Sequence, residues 1–317
     1  MRANKLNLKK TTSIETIIKD VSNKELTNEE TRNIEARNGY IDYQSLNNVD
    51  KWGNRKVGDK KRSNKKAGKV LLVGAGPNDP DLLTVKAYKA IQQAEVVVFD
   101  RLVGQGILNL IPEHCEQIYV GKRCGQPSLK QDEINHILIE QAKLGKQVVR
   151  LKGGDPFIFG RGGEEAFALI AQQVSYDVIP GITAAIGCAA SSKIPLTHRG
   201  LSRSVTLVTG HVMAGAFDSW SGLVSTGQTL VFYMGLEQAE KIQAGLLNSG
   251  LSKQTPIAII GNGCSKNQQV HVNKLSELCC LSNQLKGLTP ALIVVGEVVS
   301  LREKLNVEWV EELSLYQ

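Results

Sequence analysis

The chain has 317 residues, enough for about two domains, and 42% of them are hydrophobic, an ordinary share for a soluble protein. No run approaches the roughly twenty apolar residues of a membrane span, and the N-terminus has neither the apolar core of a secretory signal nor the acid-poor composition of a transit peptide. The formal charge of +7 is uneven: residues 1–69 hold 17 Lys/Arg against 9 Asp/Glu, and the remainder 21 against 22. The basic balance therefore belongs to the leading segment and is no argument for nucleic-acid binding by the rest.

Residues 1–66 form a polar basic leader. One amphipathic helix fits at its start, with Ser13 as N-cap and Ile14, Ile17, Ile18 and Val21 on one face. After Leu26 the composition cannot bury enough apolar surface to offset ordering entropy. We expect a solvated, largely disordered segment rather than an RNA- or membrane-binding arm, because its basic run lacks interleaved aromatics.

An alternation of strands and helices then begins. Strands are expected at 70–73, 96–99, 117–120, 147–151 and 176–179, with helices at about 81–93, 107–111, 131–144 and 164–173 between them. This βα pattern implies a parallel, helix-covered sheet. Pro180-Gly181-Ile182-Thr183 follows the fifth strand and opens a helix of small residues that allow close backbone packing. Thr183 either points its hydroxyl at a ligand or caps that helix. The linker from Ile194 to Arg203 marks a boundary, after which strands are expected at 204–209, 228–233, 256–260, 269–272 and 291–295, and helices at 237–248 and 274–284. The expected architecture is two α/β domains, 67–198 and 199–317, with a ligand cleft between them.

The densest chemistry lies at 149–165. An apolar strand ends in Lys152, Gly153 and Gly154, which let the backbone turn and approach a ligand. Asp155 offers a carboxylate, and Gly160, Gly162 and Gly163 lead into a helix opened by Glu164 and Glu165, acids suited to its positive end. Loops at the carboxyl ends of strands are where open α/β sheets bind ligands. Gly74-Ala75-Gly76 after the first strand invites a dinucleotide fingerprint, but Asp79 stands at the third glycine and Pro77 removes an N–H. That turn suits a ligand with positive charge or without phosphate. The six cysteines contain no C-x-x-C pair, read as reduced cytoplasmic thiols, and show no metal-ligand spacing with the histidines.

Eight segments occur in order: Gly74-Ala-Gly-Pro-Asn-Asp-Pro-Asp-Leu-Leu-Thr84, Val98-Phe-Asp-Arg-Leu-Val103, Val120-Gly-Lys-Arg123, the stretch 151–165, Pro180-Gly-Ile-Thr-Ala-Ala185, Ile194-Pro-Leu-Thr-His-Arg199, Val231-Phe-Tyr-Met-Gly235 and Pro290-Ala-Leu-Ile-Val-Val-Gly-Glu-Val-Val299. Over about three quarters of the chain this set resembles the uroporphyrinogen-III C-methyltransferases of the tetrapyrrole methylase family, in particular the methylase half of siroheme synthase. The dehydrogenase–ferrochelatase half has no counterpart in residues 1–66. The resemblance implies the two-domain tetrapyrrole methylase fold, usually a homodimer. It also implies two methyl transfers from S-adenosylmethionine to uroporphyrinogen III, at ring carbons 2 and 7, giving precorrin-2 by way of precorrin-1 and releasing S-adenosylhomocysteine.

Carried over residue by residue, the resemblance implies donor contacts from Pro77, Gly153, Gly154, Asp155, Ile158, Thr183, Ala184, Met234 and Gly263. It gives Asp100 as proton acceptor and Lys122 as proton donor, and no metal. Asn78 stands where glycine is usual, and Gly261 and Cys264 where Glu and Thr are frequent. The substrate's eight carboxylates call for cations in the cleft, for which Arg101, Lys152, Arg161 and Arg199 are the candidates. Sibling precorrin methylases and diphthine synthases share the fold and are the nearest alternative. An RNA-binding protein and a dinucleotide oxidoreductase are the more distant ones.

Overall fold

The computed structural model describes residues 41–42, 68–121, 129–210, 220–224 and 227–306. The expected helix near Ser13 and the disorder expected of the leader lie outside the described residues, apart from β1 (Ile41–Asp42), which pairs in parallel with Ile118–Tyr119.

The first sheet adds β2 (Lys69–Gly74), β3 (Val96–Phe99), β4 (Glu116–Tyr119), β5 (Gln147–Lys152) and β6 (Ser175–Ile179). Its order is β1-β4-β3-β5-β2-β6 and every pairing is parallel. Its connecting helices are α1 (Val85–Gln92), α2 (Gln105–Leu108), α3 (Gln131–Lys143) and α4 (Gly162–Ala171). All four β3 residues are buried, as a sheet covered on both faces requires. Alternation sorts them: Val97 and Phe99 pack with Ile91 and Ile107, while Val96 and Val98 pack with Leu138 and Leu169. The helix expected at 81–93 is divided. Asp79 caps a 3-10 turn at Pro80–Leu82, and the Thr84 hydroxyl caps α1 by accepting from the Ala87 N–H.

The chain then forms α5 (Ala184–Ser191) and the second sheet: β7 (Ser204–Thr209), β8 (Gln228–Tyr233), β9 (Pro256–Gly261), β10 (Gln269–Lys274) and β11 (Ala291–Val295). Its order is β10-β9-β11-β8-β7; only β7 and β8 are parallel. The β9–β10 pair follows from connectivity, because the short 262–268 link between them has no room for a crossover helix; β11 pairs antiparallel with β9 and β8 through long-range contacts. One face is covered by α6 (Ala239–Asn248) and α7 (Leu278–Gln284), and the other by α5. A last helix absent from the sequence expectation, α8 (Leu301–Leu305), follows a 3-10 turn. Although α5 follows the last strand of the first sheet, its Ala185 and Cys188 pack on Val231, Tyr233, Ala258 and Ile260 of the second. This crossing places the N-terminus of α5 where the two sheets meet.

Candidate active site

Three strand-end loops of the first sheet are knitted together by main chain. Ala75 donates to the Lys152 carbonyl at 2.7 Å, and Gly76 and Gly154 exchange a reciprocal pair at 3.1 and 2.7 Å. A Cβ on Gly74 would collide with the Gly181 backbone, and one on Gly181 would collide with the Gly154 carbonyl. Only glycine permits this approach. Asp155 clasps the same loops: Oδ1 accepts from the Phe157 N–H at 2.8 Å and Oδ2 from the Gly181 N–H at 3.1 Å. Gly153 is explained differently, since a Cβ there would come within 2.8 Å of the Leu102 side chain in the loop after β3. Gly154 has φ +70°, where a side chain is strained, and a Cβ on it would sit in van der Waals contact with Thr183 Cα and the Ala184 nitrogen, 3.8 Å away.

The start of α5 is held from the second sheet. Tyr233 is buried at the end of β8; its hydroxyl accepts from the Ala185 N–H at 2.9 Å and lies 2.7 Å from Thr183 Oγ1. Burial raises the phenol above its ordinary pKa, more than the bonds to Thr183 and Ala185 lower it, so it stays protonated. Phe159 from the β5–α4 loop stacks tilted on the Tyr233 ring, with centroids 4.9 Å apart. The Thr183 hydroxyl is thus engaged with Tyr233, while the Ala184 N–H has no hydrogen-bond partner among the described residues. Pro77 packs on α5 where a Cβ on Gly187 would lie 2.5 Å from its ring. At the next residue of α5, the Gly263 backbone lies directly against Cys188, whose thiol burial pushes up to about 12.

Beside these loops lies a buried charge cluster. Register places Phe99 opposite Leu151, so Asp100 follows β3 level with Lys152 on β5. Arg150 Nη2 donates to Asp100 Oδ2 at 3.0 Å, and Leu102 N–H donates to Asp100 Oδ1 at 3.0 Å. Arg150 Nε and Lys152 Nζ both reach Glu165 Oε1, at 3.1 and 3.0 Å. Glu165 has no exposure, Arg150 3% and Lys152 4%. Burial alone would lower the Arg150 guanidinium, but Glu165 and Asp100 outweigh it and raise its pKa. Lys152 goes the other way, since burial and the adjacent Arg150 lower it more than Glu165 restores.

Pro77, Gly154, Asp155, Thr183, Ala184 and Gly263 are therefore gathered around α5 and the Gly181 turn that leads into it, with Gly153 one residue behind. Ile158 and Met234 are exposed, and Met234 (φ +53°) directly follows Tyr233. Asp100 reaches the neighbouring strand end; Lys122 lies outside the described residues. Among the cations the expectation needs correction. Lys152 does not face an open cleft but is buried and paired with Glu165. Arg161 is exposed yet paired bidentately with Glu164, at 2.8 and 2.7 Å. That bond raises the Arg161 pKa and lowers that of Glu164. Arg101 and Arg199 are exposed and make no ion pair among the described residues, Arg199 on the turn closed by the His198–Ser202 pair. Glu165, expected only as an acid suited to the helix's positive end, is also the centre of the buried cluster. Sequence reading also missed Tyr233 and its hydroxyl.

Comparison with known proteins agrees with this geometry. A family model described as "Tetrapyrrole (Corrin/Porphyrin) Methylases" matches residues 69–279. The chain is 54% identical over 239 residues to siroheme synthase 2 of Yersinia enterocolitica, covering 75% of this chain and 50% of that protein. It is 52% identical to siroheme synthase 2 of Cronobacter sakazakii, covering 75% and 52%. The chain thus spans about half the length of the curated relatives it matches. Among solved structures it is similar to uroporphyrin-III C-methyltransferase of Thermus thermophilus in complex with S-adenosylhomocysteine, at 37% identity and TM-score 0.63, covering 74% and 94%. It is also similar to the cobalt precorrin-4 methyltransferase CbiF, at 25% identity and TM-score 0.66, covering 73% and 95%. From the family model and these relatives, the chain belongs to the tetrapyrrole (corrin/porphyrin) methylase family.

Proposed function

We propose that this chain methylates uroporphyrinogen III at C2 and C7, giving precorrin-2, with S-adenosylmethionine as donor and S-adenosylhomocysteine as by-product. The observation that carries this reading is the close approach of the Gly154 loop to the start of α5. Gly154 has no side chain at that approach, and the Ala184 N–H beside it has no hydrogen-bond partner among the described residues. A helix N-terminus with a free N–H suits the carboxylate of an amino-acid donor, and exposed Ile158 and Met234 offer apolar surface. The donor would be held by Pro77, Gly153, Gly154, Asp155, Ile158, Thr183, Ala184, Met234 and Gly263. It supplies an activated methyl group; the protein's task is to align the two reactants, which can contribute roughly 7–11 kcal/mol.

Asp100 is assigned to accept the proton that the cationic macrocycle releases after methyl transfer, since the methylated carbon itself carries no hydrogen, and its carboxylate to stabilise the positive charge on the ring system. Lys122 is assigned as proton donor. Arg101, Arg161 and Arg199 are assigned to the substrate's carboxylates; Lys152 would join them only by leaving Glu165. The division at 198/199 is kept as a proposal, supported by residues 192–203 lying between α5 and β7. We further propose a cytoplasmic homodimer. The Phe167–Ile170 pair on α4 and Ile186 on α5 support it, with exposures of 75, 53 and 59% that a second copy would cover. Calorimetric titration with S-adenosylhomocysteine, NAD and RNA tests the class. Binding of the first alone supports a methyltransferase, whereas binding of NAD or RNA alone contradicts it.

A further inference from the structure

We propose that Glu165, acting through Arg150, is a positioning residue for the Asp100 carboxylate; the inference rests on the role assigned to Asp100 above. Glu165 lies in the first turn of α4 with no solvent exposure. Its Oε1 accepts three donors: Arg150 Nε at 3.1 Å, Lys152 Nζ at 3.0 Å and Gln131 Nε2 at 3.3 Å. Its Oε2 is buried with no hydrogen-bond partner among the described residues. As a device for stability this is a poor one, because burying charges costs more than their attraction returns unless every polar atom is satisfied. What it achieves is orientation. The Arg150 guanidinium is planar and bonds along its edges: Nε to Glu165, Nη1 to the Leu151 carbonyl at 3.0 Å, and Nη2 to Asp100 Oδ2 at 3.0 Å. With two edges fixed, the third has one direction.

Asp100 is the one acid of the cluster that meets solvent, with its side chain 24% exposed. The Leu102 N–H fixes its other oxygen at 3.0 Å. Each carboxylate oxygen keeps a second lone pair, so the carboxylate is immobilised without being used up. The chain of contact runs from α3 and α4 through β5 to the end of β3. Every charged group on it is named: Glu165, Lys152, Arg150 and Asp100. None of the first three touches the proposed reacting atoms, so their influence on the reaction passes through Asp100.

A kinetic double-mutant cycle tests this, with the full chain, uroporphyrinogen III and S-adenosylmethionine. Glu165→Gln should lower kcat roughly 10–100-fold, the effect of a reacting group displaced by about 1 Å. KM for both substrates and the affinity for S-adenosylhomocysteine should be unchanged. In an Asp100→Asn background the same substitution should have no further effect, because the group it positions has gone. Equal slowing in both backgrounds, or weakened donor binding, would show that Glu165 supports the fold generally and would overturn the inference. Should Glu165→Gln fail to fold, Glu165→Gln with Lys152→Met removes one anion and one cation together and takes its place in the cycle. Normal turnover in Asp100→Asn would refute the role of Asp100 itself. Slow turnover there with normal turnover in Glu165→Gln would refute the positioning alone.

Discussion

Tyr233→Phe isolates a single hydroxyl. The ring stays in the core with Val231, Ala258 and Leu292 and keeps its contact with Phe159. The variant loses the acceptor for the Ala185 N–H and the partner of Thr183 Oγ1. An orphaned buried donor costs about 1–3 kcal/mol, and the rotatable Thr183 hydroxyl about 0.5–1.5 kcal/mol more, giving about 2–4 kcal/mol in all. At roughly 2–4 °C per kcal/mol for a folded body of this size, the melting temperature should fall by about 4–16 °C in scanning calorimetry. The start of α5 also loses its tether to the second sheet, so S-adenosylhomocysteine should bind about tenfold more weakly. A melting temperature and affinity equal to those of the parent protein would refute the claim that this hydroxyl seats the helix.

Two other perturbations test neighbouring parts of the account. Gly154→Val puts a β-branched residue at φ +70° and sets its methyl groups against Thr183 and Ala184; calorimetry should show donor affinity at least about tenfold lower, and unchanged affinity would remove this loop from the site. Deleting residues 1–66 removes only the two-residue β1 from the described fold. Methylation rates should stay close to those of the full chain, and a folded but inactive product would make the leader part of the site.

The glycine loops were legible because their spacing is local: Gly74, Gly154 and Gly181 each end a short apolar run, and a glycine there reports an approach of backbone to backbone. The small residues of α5 likewise anticipated its tight fit against Pro77 and Gly263. Other features depend on partners far along the chain. Thr183 and Tyr233 are 50 residues apart, so neither the hydroxyl bond nor the choice between ligand contact and anchoring was visible at Thr183. The charge cluster did leave a signal that was misread. Arg150 and Lys152 alternate on one face of a strand whose buried remainder is Val148, Val149 and Leu151, and two cations on a covered face demand a buried anion. Glu165 was that anion, but its position in a helix's first turn offered a sufficient local explanation. The antiparallel order of the second sheet is likewise set by tertiary pairing, which the strand sequences alone do not encode.

The central claim is that this chain carries methyl groups to uroporphyrinogen III, and counting them by mass spectrometry tests it most directly. Purified protein incubated anaerobically with excess S-adenosylmethionine and uroporphyrinogen III should give a product heavier by two methyl groups, with two equivalents of S-adenosylhomocysteine released. One stable methyl addition would point to a sibling reaction on the same fold. No transfer at all, from protein that demonstrably binds the donor, would contradict the account.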